Sequence, residues 1–118
     1  MDPQDRPNSG TVTFESGDSG TSKDVLTIRD EETFRINDYI LSYGANGTPP
    51  ADVEFYDEPA GTAEVDVSQL IEIVRVSPDD NTPVVDIARN DVEDDVVVVV
   101  RNNDGVVSIT MGGHTITG

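Results

Sequence analysis

Five valines in a row, Val96–Val100, set the tightest limit on what this chain can become. A β-branched side chain is stiff about its first torsion and fits a pleated ribbon better than a helix. Side chains on a strand alternate between its two faces. An unbroken apolar run is therefore a strand buried on both sides, a position found only in the interior of a layered sheet. Asn102-Asn103-Asp104-Gly105 and then Val106–Met111 follow. That order predicts a β-hairpin with Gly105 at positive φ.

The same grammar runs through the rest of the chain. Thr11–Phe14, Asp24–Arg29, Thr33–Tyr43, Val53–Tyr56, Ala63–Val67, Val84–Ile87 and His114–Thr117 all read as strands, separated by Gly, Pro, Asn and Asp turns. Leu70–Val76 is apolar on both faces, and its β-branched content favours strand over a short helix. In Thr33–Tyr43 the apolar set changes phase, from Phe34 and Ile36 to Tyr39, Leu41 and Tyr43. A period-2 pattern cannot flip without an extra residue, which predicts a bulge or corner at Asn37-Asp38. Were the strand continuous, Ile40 would point inward, and Tyr39, Leu41, Tyr43 and Tyr56 would form an outward interface between copies. Large amphipathic tyrosines suit such a surface. The competing reading has the tyrosines capping the ends of the fold.

Roughly nine short strands at even spacing define an all-β fold, an antiparallel β-sandwich, with jelly-roll and immunoglobulin-like connectivity both open. Residues 1–10, polar and rich in Pro, Asn and Asp, read as a flexible N-terminal arm, and residues 11–118 as a single sandwich domain. The arm is expected to order only on docking.

Charge narrows the setting. The 118 residues carry 24 acids against seven bases, a net charge of −17, and Lys23 is the only lysine. In molar salt, repulsion between carboxylates is screened within about 3 Å, while the charge keeps the surface hydrated. The balance points to a salt-adapted source. It disfavours nucleic acid as a partner, since phosphate binding needs a basic patch. There is no cysteine, so disulfides and thiolate chemistry are excluded. The polar start lacks the apolar core of a secretory signal, and no stretch reaches membrane-spanning length, so no membrane insertion is expected.

Catalytic signals are weak. A Ser-His-Asp triad would have to use His114, which lies just after a Gly pair in a short strand and reads as an edge histidine. Two acidic loops offer oxygen ligands to a hard cation: Asp79-Asp80-Asn81, and Asp91 with Glu93, Asp94 and Asp95. Neither has the EF-hand spacing, and both read first as solvated loops. Asn46-Gly47-Thr48 fits an N-glycosylation acceptor but reads equally as a turn. No catalytic residue, metal or cofactor is assigned, and the chain is expected not to be an enzyme.

One segment carries a resemblance. Val25-Leu26-Thr27-Ile28, Glu32-Thr33-Phe34-Arg35-Ile36, Tyr39-Ile40-Leu41-Ser42, Asn46-Gly47-Thr48 and Val53-Glu54-Phe55-Tyr56-Asp57 follow in that order. This resembles the small β-sandwich accessory proteins of tailed phages and archaeal viruses. The resemblance implies a virion structural role: a homo-oligomeric capsid decoration, turret or spike. Its partners would be copies of itself and a major capsid or other virion protein. With the acidic composition it implies a virus of haloarchaea and localisation to the virion. The rival is an extracellular sugar- or cation-binding module on a haloarchaeal surface.

Overall fold

The computed structural model describes residues 4–15, 18, 20–26, 28, 32–44, 50–59, 61–77, 81–84, 91–92 and 95–117. Its strands are β1 Gln4–Phe14, β2 Ser22–Leu26, β3 Glu32–Tyr43, β4 Ala51–Glu58, β5 Leu70–Val76, β6 Asn81–Val84, β7 Asp91–Val92, β8 Asp95–Arg101 and β9 Val107–Thr117. A 3-10 turn, Val67–Gln69, precedes β5 and is capped by the Asp66 side chain, which accepts from the Ser68 N–H.

The pairings are antiparallel and nested: β1 with β9, β2 with β8, β3 with β6 and β7, β4 with β5. Rolling up that long ladder adds the β3–β9 and β4–β8 contacts. The result is one sheet ordered β1-β9-β3-β6 and a second ordered β2-β8-β4-β5. β6 pairs with the Tyr39–Ser42 end of β3 and β7 with Phe34–Arg35, so two short strands share one place beside β3. This is the jelly-roll form of the sandwich.

Alternate side chains of both sheets meet between the layers. Phe14, Phe34, Ile36, Leu41, Val53, Phe55, Ile109 and Met111 are fully buried there. The Tyr39 and Phe55 rings lie 4.5 Å apart, tilted at 41°. The valine run behaves as its composition demands. Val96, Val98 and Val100 enter this core, while Val97 and Val99 face the other way and are buried in a second cluster with Tyr56.

The phase change in β3 is a bulge. Ile36 pairs with Gly113 and Asp38 with Gly112, leaving Asn37 as the extra residue. Opposite it, a Cβ on Gly113 would sit 2.1 Å from the Arg35 carbonyl oxygen, so only glycine lets the two strands approach there. Gly112-Gly113 therefore does not end a strand. The expected pair Val106–Met111 and His114–Thr117 is one strand of eleven residues.

Three further expectations change. The valine run and β9 do not form a hairpin: β8 lies in one sheet between β2 and β4, and β9 in the other between β1 and β3. The connection is a corner between layers, with Asn102, not Gly105, at positive φ (65°). It is held by buried Asn103, whose Nδ2 donates to the Glu15 and Gly105 carbonyls, both at 3.1 Å. Ala63–Val67 alternates but is not a strand. It crosses the outside of the second sheet, with Val65 packed onto that sheet and Val67 77% exposed. Residues 4–10, expected in a free arm, pair residue by residue with β9. A polar sequence serves there because an edge strand has one wet face and tolerates Pro7.

Candidate functional site

The four residues expected to form an outward interface are internal. Tyr39, Leu41 and Tyr43 are 1%, 0% and 2% exposed, because the bulge turns them into the core. Tyr56 does point outward from β4, but Val65 and Leu70 roof it over, leaving it 5% exposed. Each phenol is instead tethered to a carboxylate. Tyr39 donates to Glu72, Tyr43 to Asp104 Oδ1 at 3.0 Å, and Tyr56 to Glu54 Oε1 at 2.7 Å. Burial, and then the neighbouring carboxylate, pushes the Tyr56 phenol up to about 12 and raises that of Tyr39. Burial raises Tyr43 as well. The rings fill the core and the hydroxyls lock its rim, the capping role weighed against the interface.

The outer face of the second sheet is acidic and covered. Glu54 accepts from Tyr56 through one oxygen and from Arg101 Nε through the other, at 2.9 Å. Arg75 Nε donates to Asp52 at 3.0 Å. Residues 61–66 are strapped across this face: Gly61 N–H to Asp24, Ser22 Oγ to the Thr62 carbonyl at 2.6 Å, and Asp66 N–H to Glu58. Between the strap and residues 20–24 lies an open polar cleft of about 450 Å³, lined by Gly20, Thr21, Ser22, Asp24, Gly61, Thr62 and Ala63. Its one carboxylate, Asp24, is engaged by Gly61. The lining offers hydroxyls and backbone groups to a polar ligand but no nucleophile–base pair.

His114 lies on the outer side of β9, with Nδ1 2.8 Å from Asn37 Oδ1, an amide that supplies no triad chemistry. Asp79, Asp80, Glu93, Asp94 and the Asn46–Thr48 tripeptide lie outside the described residues. Among the described residues, no three His, Asp or Glu side chains come together as metal ligands.

The outer face of the first sheet differs from the rest of the surface. Thr11 and Thr13 of β1 face Thr110 and Ser108 of β9, with hydroxyl oxygens 3.2 and 3.4 Å apart. Next to them, Ile40 and Ser42 of β3 complete the rows, and Ile40 is 49% exposed. Only the Thr-x-Thr and Ser-x-Thr alternation marks this face in the sequence, and tyrosine was the louder signal.

Neither a protein-family model nor a curated protein matches this sequence. Among solved structures it is similar to a chain from the work titled "Bacillus endospore appendages form a novel family of disulfide-linked pili". The match has a TM-score of 0.56 and 12% identity, and covers 100% of this chain and 93% of that one. The likeness is one of fold, end to end.

Proposed function

We propose that this chain is a structural subunit that associates with copies of itself in a proteinaceous surface assembly. The assembly we favour is a virion decoration, turret or spike of a virus living in brine. The observation that carries the reading is the full-length match of its jelly roll to a chain from a pilus. The segment from Val25 to Asp57, with its likeness to virion accessory proteins, and the charge of −17 give the finer assignment. The pili in that title are disulfide-linked, and this chain has no cysteine. Its copies are then held by non-covalent burial alone, and no catalysis is assigned. Mass spectrometry of purified particles from the source tests the assignment. A stoichiometric share in virions supports it. Recovery only in cell-surface filaments replaces the virion with an appendage, and recovery only as free monomer overturns both.

The cleft between residues 20–24 and 61–63 favours a second reading, an extracellular module for a sugar or cation. Saturable binding of either in molar KCl, abolished by Asp24→Ala, would establish it.

A further inference from the structure

The geometry points to the outer face of the β1-β9-β3-β6 sheet as the surface on which two copies meet, face to face about a two-fold axis. The inference rests on the self-assembly reading and names its contact.

Carboxylates cover this protein but thin out over most of this face, with Asp5 opposite Ile116 and Asp91 opposite Arg35 standing toward one end of it. From Asn8 to Phe14 on β1, Val107 to Thr115 on β9, Arg35 to Tyr43 on β3 and Asn81 to Val84 on β6, the one acid is Asp38. It lies at the bulge, beside Gly112. The opposite face carries Asp52, Glu54 and Glu58, and its sheet is already roofed by residues 61–66. Molar salt screens charges across solvent, but it does not restore the hydration a carboxylate loses on burial against another carboxylate. Two copies of so acidic a chain therefore associate at least cost where each presents the fewest acids. A basic partner would be drawn to the other face, so the occupant of this one carries little charge. The same face of a second copy meets that requirement, and an isologous pair is the commonest arrangement.

The size suits a weak, reversible pair. Seven, nine, nine and four residues of β1, β9, β3 and β6, each about 3.3 Å along its strand and about 4.8 Å across, make a flat area on the order of 460 Å². Two such faces give about 920 Å², at the small end of the range, where transient association falls. The threonine hydroxyls already pair along the sheet, so they can be covered without leaving every donor bare.

The test is sedimentation and light scattering of the whole chain in molar KCl. The wild type should associate. Thr110→Asp, which places a carboxylate at the centre of the face, should weaken association by about 100-fold. Thr110→Val, and Ile73→Asp on the other sheet, should leave it intact. Because the chain has no cysteine, Thr110→Cys gives an independent readout that needs no folding-sensitive charge: oxidation should yield covalent dimers, and Ile73→Cys should not. If the wild type associates but Thr110→Asp does so equally and Thr110→Cys fails to cross-link, the face is wrong and self-assembly stands. A wild type that stays monomeric at every concentration overturns both.

Discussion

Gly113→Ala should be among the most damaging single-methyl additions to this fold, and the structure gives the scale. The new Cβ would lie 2.1 Å from the Arg35 carbonyl oxygen and 2.8 Å from Cζ of Phe34. Both neighbours are fixed: the carbonyl belongs to β3 beside its bulge, and the Phe34 ring is fully buried. Neither can yield without moving β3 from β9. Overpacking of this kind costs typically 1–3 kcal/mol, and a backbone obstacle places it at the upper end, about 3 kcal/mol. For a domain of this length that lowers Tm by roughly 10–15 °C. The neighbouring glycine is the control. A Cβ on Gly112 meets only the Asp38 carboxylate, at 3.3 Å, a side chain that can swing aside, so Gly112→Ala should change stability by less than about 1 kcal/mol. Urea unfolding in molar KCl, read as midpoint at constant slope, separates the two. Equal midpoints for Gly113→Ala and the wild type would refute the close approach and the bulge register with it.

Three other outcomes follow from the same interactions. The folded state holds the Tyr39, Tyr43 and Tyr56 protons above the usual tyrosine range. It therefore binds more protons than the unfolded chain from about pH 10 upward. Stability should be complete below that pH and fall as pH rises toward 12, by up to about 1.4 kcal/mol per pH unit for each phenol. Flat urea midpoints across that range, or free tyrosinate absorbance at the start of it, would sink the point. Arg101→Ala leaves Glu54 buried with one oxygen unanswered. With the arginine itself about half exposed, the cost should be about 1–2 kcal/mol, and Glu54→Gln in the same background should recover part of it. Dilution from molar KCl to about 0.1 M should lower the unfolding midpoint, as 24 carboxylates lose their screening; a salt-independent midpoint would contradict the brine-adapted reading.

Local features were legible where the local rule is strict. The valine run can only be a doubly buried interior strand, and β8 is one. The phase flip across Asn37-Asp38 requires an extra residue, and the bulge supplies it. What the sequence hides is which layer a strand joins. Asn102–Gly105 reverses the chain whether the next strand returns in the same sheet or crosses to the other, and turn chemistry does not distinguish the two. The tyrosines show a similar gap. Nothing near Tyr56 announces that Val65 and Leu70 will cover it. Nor does the polar run from Gln4 to Gly10 reveal its partner, since the strand it pairs with begins a hundred residues later.

That last pairing has a consequence for how the molecule comes into being. β9 lies between β1 and β3, so the first sheet has no middle until residues 107–117 are available. A chain emerging from the ribosome would hold two early strands apart, their edges open and their natural filler unmade, through almost the whole of synthesis. Such unpaired ribbons are prone to aggregate. The acids of the segment that links them, Glu15, Asp18, Asp24, Asp30 and Glu31, keep that waiting stretch of chain hydrated.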